Sequence, residues 1–212
     1  MFDRKLDQER LVVGIGGNAG SGKTTVAGEL KRLGARVIDA DAVACSFLRK
    51  GSPEYKKLVK AFGSCILSRT GQLDRKLLAA KAFSSKAGVK KLNAITHPAI
   101  IEAIRKELAA HKKGLVILDA ALLFTVGLNK EVNVSILVTA PERLKVKRLV
   151  GCGFSRDDAK QRLKFQEPDA KVWRRADFVL ENKGSLAELK RKTRALWNFF
   201  YSARFQNLQQ AQ

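Results

Sequence analysis

Residues Gly17-Asn18-Ala19-Gly20-Ser21-Gly22-Lys23-Thr24 follow the pattern G-x-x-x-x-G-K-[ST] of a phosphate-binding loop. Glycines let a backbone wrap closely around an anion, so that successive N–H groups and the N-terminus of a following helix point at phosphate oxygens. Lys23 would reach the β and γ phosphates. The Thr24 hydroxyl would join the shell of a Mg²⁺ ion, with Thr25 beside it in the first turn. The surroundings suit the pattern: residues 11–15 are apolar and β-branched like a buried strand, and residues 24–33 set Val26, Leu30 and Leu33 at helical spacing. The chain is expected to bind a nucleoside triphosphate. A dinucleotide fingerprint overlaps the loop. Gly14-Ile15-Gly16-Gly17-Asn18-Ala19 fits G-x-G-x-x-A, with Asp39 about 20 residues on, where a ribose-binding acid belongs. Such a turn has no use for a Lys-Thr pair at the mouth of the helix, so the triphosphate reading is preferred.

A second constellation, Val37-Ile38-Asp39-Ala40-Asp41, sets two carboxylates one residue apart at the carboxyl end of the next strand, where open α/β sheets place ligands. A carboxylate there can orient and deprotonate an attacking hydroxyl, or help to hold a metal. Phosphoryl transfer asks little more of a protein than positioning and charge neutralisation. A capping Asp at a strand-to-helix turn would account for one of the pair and less well for both.

These residues need a frame. Five short apolar runs, 11–15, 36–38, 115–118, 134–138 and 178–180, read as strands, and helical patterns alternate with them. That alternation is the signature of an α/β fold with a parallel sheet covered on both faces. Helices are expected over 55–62, 74–83 and 98–110, the last with Pro98 at its first position and Ile100, Ile101, Ile104 and Leu108 along one stripe. The reading is a single domain, 1–212, whose core comprises 1–42, 112–140 and 173–212, with a helical insertion over 43–111 and a helical lid over 141–172. The lid is dense in Lys and Arg. Gly151-Cys152-Gly153 breaks it into two helices, with Ser155 as N-cap of the second. Beside a triphosphate such a hairpin would cover the phosphates; a surface hairpin with solvated charges is the alternative. A final helix begins near Ser185 with Leu186, Leu189, Leu196 and Phe200 as its docking stripe and Trp197 at the edge.

A chain of 212 residues is long enough for one well-buried α/β domain with an insertion. Hydrophobic residues at 45% exclude disorder, and no apolar run reaches transmembrane length. Residues 1–10 are polar and of mixed charge, unlike a signal peptide. Cys45, Cys65 and Cys152 form no C-x-x-C pair, which speaks against a disulfide framework or a zinc site and for free thiols in the cytoplasm. The balance of 41 Lys+Arg against 20 Asp+Glu gives +21, a field that attracts polyanions. The basic residues are spread over separate helices without a recognised nucleic-acid module, so phosphate esters are the expected partners rather than nucleic acid or membrane. The residues alone leave open a kinase for a small hydroxyl or nucleotide acceptor, a nucleotide-dependent regulator without chemistry and, last, a nucleic-acid binder.

Further pieces narrow this. After the loop come Leu33-Gly34-Ala35-Arg36-Val37-Ile38-Asp39-Ala40-Asp41, Phe62-Gly63, Gly71-Gln72-Leu73-Asp74-Arg75 with Phe83 behind, and Leu92-Asn93-Ala94-Ile95-Thr96-His97-Pro98. Leu122-Leu123-Phe124, Gln166, Ala176-Asp177 and Asn182-Lys183-Gly184 follow. In order and spacing the chain resembles the dephospho-coenzyme A kinases through most of its length. The resemblance implies a P-loop kinase fold: a five-stranded parallel sheet flanked by helices, a helical substrate-binding insertion and a helical lid. It implies transfer of the ATP γ-phosphoryl group to the ribose 3′-hydroxyl of dephospho-coenzyme A with Mg²⁺, giving coenzyme A and ADP. A cytoplasmic protein is expected, with a monomer favoured. Carried over by position, Asp41 is the general base, and Lys23 and Arg148 are its cationic partners in catalysis. Asp39, Asp41, Arg75, His97 and Leu122 fall on the substrate side, and Asp119 joins Thr24 at the metal, acting through water. Read alone, His97 before Pro98 would be a helix-start residue. The chain departs from the family at Ala121 and Thr125, where Pro and Glu are usual. It departs again in the lid, where Lys147 or Arg148 supplies the first cation but Gly151 or Cys152 stands where the second arginine belongs. Arg156 or Arg162 would have to compensate.

Overall fold

The computed structural model describes residues 10–209; the polar stretch 1–9, residues 210–212 and the side chains of 44–47 and 203–209, Cys45 among them, lie outside the description. The chain divides into two compact units. The first comprises the chain up to Asp39 together with Leu108 onward, and the second is Ala40–Glu107.

In the first unit the apolar runs become five strands: β1 (Arg10–Gly16), β2 (Arg36–Asp39), β3 (Gly114–Asp119), β4 (Val134–Thr139) and β5 (Phe178–Glu181). All pair in parallel in the order β2-β3-β1-β4-β5. Parallel strands need both faces buried, which is why these runs are continuously apolar rather than alternating. One face packs Leu11, Val13, Ile15, Ile117, Ile136 and Val138 against Val26 and Leu30 of α1 (Lys23–Arg32) and Leu189 and Phe200 of α9 (Leu186–Gln209). Each such fully buried side chain stabilises the fold by about 2 kcal/mol. On the other face, the segment after β3 lays Leu123 and Val132 over Gly14, where an added Cβ would meet Leu123 at 3.0 Å and Val132 at 3.1 Å. Register aligns the carboxyl ends: Ile15 and Asp39 both stand opposite Asp119. Asp177 starts β5 by accepting from Ser135 N at 2.8 Å and Ser135 Oγ at 2.6 Å, which gives the Ala176-Asp177 pair a structural part.

Helices α6 (Glu142–Gly151) and α7 (Arg156–Lys164) form the hairpin read as a lid, followed by the short α8 (Asp169–Val172). Ser155 caps α7 as expected, its Oγ accepting from Asp158 N at 3.0 Å. The hairpin's small core, Val146, Leu149 and Ala159, also packs Leu163 and Ala19 of the phosphate loop. One expectation for α9 fails: Leu186 is 59% exposed, because docking starts a turn later at Leu189. Trp197 packs at the core edge as read and stacks on Tyr201 at 5.8 Å.

The second unit holds α2 (Ala40–Phe47), α3 (Pro53–Phe62), α4 (Arg75–Phe83) and most of α5 (Lys86–Ala110) around Leu58, Phe62, Ile66, Leu78 and Ala82. Ser52 caps α3, and Asp74 caps α4 through Lys76 N at 2.8 Å and Leu77 N at 3.1 Å. The helix expected to begin at Pro98 instead begins at Lys86, with Pro98 inside it. Ser85 Oγ takes Gly88 N at 3.0 Å at the start, and Leu92 and Ile95 pack on the unit's core. That packing outweighs the interior proline, which costs a helix about 3 kcal/mol.

A buried carboxylate clamps α9 onto the sheet layer. Glu29 on α1 accepts from Arg32 Nη2 and Arg194 Nε, both at 2.8 Å. Their hydrogen bonds hold its carboxyl at about 2, well below the ordinary 4.5. A group with a depressed folded pKa stabilises the fold above its unfolded value and loses that contribution as pH falls through the folded one, here between 4.5 and about 2. Glu29→Gln should therefore unfold at a lower denaturant midpoint than the parent at neutral pH, the gap closing as pH falls through that window. Equal midpoints at neutral pH, or a gap that persists to the acid end, would show that the clamp contributes nothing.

Candidate active site

A loop that offers its N–H groups to an anion turns its carbonyls inward, and each buried carbonyl then needs a donor. Strand β1 ends at Gly16, α1 begins at Lys23, and the residues between them are held from behind. Arg148 of α6 donates Nη1 to Gly20 O at 3.0 Å and Ser21 O at 3.3 Å, and Nη2 to Asn182 O and Oδ1, both at 3.1 Å. Asn182, buried just past β5, donates Nδ2 to Ser21 O at 2.7 Å. Gln166 Oε1 accepts from Ala19 N at 2.9 Å. Gly22 is the N-cap of α1 at φ 102, a left-handed conformation suited to glycine, and a Cβ there would lie 2.2 Å from Asn182 Nδ2. With no capping side chain at Gly22, the Lys23 and Thr24 N–H groups at the start of α1 are left for an anion, while Thr25 N donates back to Gly22 O at 3.0 Å.

Gly14 and Gly16, which carried the dinucleotide fingerprint, lie within β1, and the helix starts only at Lys23. Their smallness serves packing: a Cβ on Gly16 would meet the Phe124 ring at 2.6 Å. That close approach also gives Leu122-Leu123-Phe124 its part. Leu123 and Phe124 are buried beneath the strand, and Leu122 is exposed in the turn after β3.

Lys23 makes an ion pair with Asp119 at the end of β3, both side chains mostly buried. Asp39 is exposed at the end of β2, level with Asp119. Thr24 is exposed in the first turn of α1, and Thr25 is half-buried next to it. The first unit thus brings together the loop 17–25, Asp39, Asp119, Leu122 and Arg148. Asp41, Arg75 and His97 belong to the second unit. There, Asp41 is exposed in the first turn of α2, where the helix dipole favours a carboxylate. Arg75 is exposed at the first position of α4. His97 is half-buried on α5, and burial pushes its imidazole below the ordinary 6.5.

Sequence reasoning expected Arg148 as a catalytic lid cation; the structure turns its guanidinium to the back of the loop. In the sequence, Gln166 and Asn182 stand only as pieces of a family pattern, with no role. Thr139 of β4, Lys145 of α6 and Asp169 of α8, which meet beside the loop, carry no sequence signal for a role at it. Beside them, Thr139, Ala140, Pro141, Glu181 and Lys183 line a hollow of about 360 Å³ past the ends of β4 and β5.

Comparison with known families matches the dephospho-CoA kinase model over residues 11–188. The chain belongs to the dephospho-CoA kinase family. The curated dephospho-CoA kinase of Corynebacterium diphtheriae is 40% identical over 193 residues, covering 89% of this chain and 96% of its own. Among solved structures, a protein of Thermus thermophilus superposes with TM-score 0.76 at 34% identity, covering 90% of this chain and 97% of its own. A Campylobacter jejuni dephospho-CoA kinase shares the fold at TM-score 0.68 and 24% identity, covering 92% and 98%. The chain is thus an enzyme of the kinase class, built on a P-loop fold with ATP as the family's phosphoryl donor.

The Arg148 geometry makes a specific expectation. Lysine cannot span four acceptors from one planar fork, so Arg148→Lys should weaken MgATP binding about tenfold or more through a loosened loop. Titration calorimetry checks this; a kcat loss at unchanged nucleotide affinity would assign the guanidinium to the transferring phosphoryl group instead.

Proposed function

We propose that this kinase transfers the γ-phosphoryl group of ATP to the ribose 3′-hydroxyl of dephospho-coenzyme A, releasing ADP and coenzyme A. The observation that carries the reading is a phosphate loop braced through its carbonyls at the carboxyl end of a parallel sheet, in a chain of the dephospho-CoA kinase family. In this reading the β and γ phosphates lie on the Lys23 and Thr24 N–H groups at the start of α1, and Lys23 exchanges its Asp119 partner for phosphate oxygens. Its ammonium neutralises charge that develops on the leaving ADP. The Asp41 carboxylate takes the proton of the 3′-hydroxyl as its oxygen bonds to phosphorus and the bond to the ADP oxygen breaks. Arg75, His97, Leu122 and Asp39 contact the acceptor, and a neutral His97 can accept a hydrogen bond from it. The hollow past β4 and β5 suits the nucleoside end of ATP, since pockets for such groups run from about 300 Å³ upward.

The residues fit Mg²⁺. Thr24, next to Lys23 in the chain, and Asp119, the ion-pair partner of Lys23, offer the hard oxygens it takes. Among the described residues no cluster of three His, Cys, Asp or Glu side chains could hold a metal, so an ion here would complete its shell with phosphate oxygens and water. When bound, Mg²⁺ supplies charge neutralisation on the β and γ oxygens. The reading includes a monomer and a cytoplasmic setting, where exposed thiols such as Cys65 and Cys152 stay reduced. Among the described residues no helix is long and apolar enough to cross a membrane.

Incubation with MgATP and dephospho-coenzyme A should yield coenzyme A, identified by mass. Formation of ADP only with another acceptor would move the chain to a different substrate. Lys23→Ala should abolish detectable turnover while the protein stays folded, and near-parental turnover would refute the role of the loop. Asp41→Asn should lower kcat about a hundredfold or more with nucleotide affinity little changed, as loss of a positioned base does. A larger kcat loss from Asp39→Asn at saturating MgATP would reverse the two assignments.

A further inference from the structure

We infer that Asp169 is a positioning residue for the phosphate loop, the hub through which α6 and β4 set the Asn18 end of the nucleotide cradle. This rests on the reading of that loop as the MgATP site. One carboxylate oxygen of Asp169 accepts from Asn18 Nδ2 at 2.9 Å, and the same amide also donates to Glu167 O at 3.1 Å. The other oxygen accepts from Lys145 Nζ at 2.6 Å and from Thr139 Oγ1. Three segments thus converge on one carboxylate: the loop, the end of β4 and the first half of α6.

Lys145 makes the arrangement mandatory. It is 6% exposed, and a buried ammonium is tolerated only with a charged partner. It is also the residue whose backbone backs the loop, since a Cβ added at Gly20 would lie 2.6 Å from Lys145 O. Lys145 therefore acts on the loop twice, by contact at Gly20 and through Asp169 at Asn18. With Gln166 on Ala19 N and Arg148 on Gly20 O and Ser21 O, four consecutive loop residues are pinned from outside. The pair also settles charge. An unpaired carboxylate so near the loop would repel a triphosphate, and Lys145 cancels it. In turn, the Lys145 ammonium is committed to Asp169, so Lys145 is not one of the cations that bind phosphate.

The test is a double-mutant cycle between Asp169→Asn and Asn18→Ala, read by titration calorimetry with MgATP and by steady-state kinetics for both substrates. If Asp169 works through Asn18, each single variant weakens MgATP binding about tenfold, as loss of positioning around a phosphate cradle should. The double variant then binds no worse than the weaker single within about twofold, because the two losses are one loss. The KM for dephospho-coenzyme A stays at the parental value. Multiplying losses, equal loss for both substrates, or a lowered Tm with parental affinity would each overturn the proposal. Should Asp169→Asn fail to fold, the paired replacement Lys145→Met with Asp169→Leu removes both charges of the pair together and takes its place in the cycle. A parent protein that binds MgATP but makes no coenzyme A would refute the acceptor, and the affinities would still decide the role of Asp169. A parent that binds no MgATP overturns both.

Discussion

The structure depends on one constraint: a peptide loop cannot present N–H groups to an anion unless its carbonyls find donors on the protein side. A buried carbonyl without a donor costs about 1–3 kcal/mol. The Arg148 guanidinium meets this need with one planar group on Gly20 O, Ser21 O and Asn182. Being cationic, it also adds to the field that draws a triphosphate in. The order of the sheet follows from the same demand. Asn182 can reach Ser21 O only because β5 is the neighbour of β4 and β4 the neighbour of β1.

The hairpin of α6 and α7 packs on the loop itself. Its small core includes Ala19 of the loop, and the segment after α7 supplies Gln166 to the Ala19 N–H. A hairpin that shares packing with the loop couples its own order to that of the loop. The hairpin's cations divide by environment. Lys145 and Arg148 are spent on protein acceptors. Arg162, exposed on α7, lies over the Phe154 ring at 5.4 Å from its centroid. Gly151 and Cys152, either of which stands where the resemblance puts a second lid arginine, are the last residue and the exposed C-cap of α6.

Where sequence reasoning succeeded, the cause was local. Strands end within a residue or two of their apolar runs because both faces of a parallel sheet are buried. Ser155 caps α7 because its hydroxyl reaches an N–H three residues away. Where it failed, a distant contact outweighed a local preference. Pro98 reads as a helix start, yet Leu92 and Ile95 find a core to pack against and the helix runs through it. Leu186 has the right spacing for docking but precedes the point where α9 meets the sheet layer. The overlap between a dinucleotide turn and a phosphate loop was resolved by where β1 stops, a matter of pairing with β3 and β4 rather than of the glycines themselves.

By itself the sequence determined the phosphate-loop pattern and its spacing along the chain, the parallel α/β architecture and the family. All of these depend on residue identity and periodicity over a few turns or one strand. Only the tertiary structure decided what each cation and amide is for. Arg148 lies 128 residues from Gly20, Asp169 151 from Asn18, and Asn182 161 from Ser21. A guanidinium or a carboxylate can satisfy any partner of suitable polarity, so its role is set by which groups the assembled fold brings within about 3 Å, the reach of a hydrogen bond.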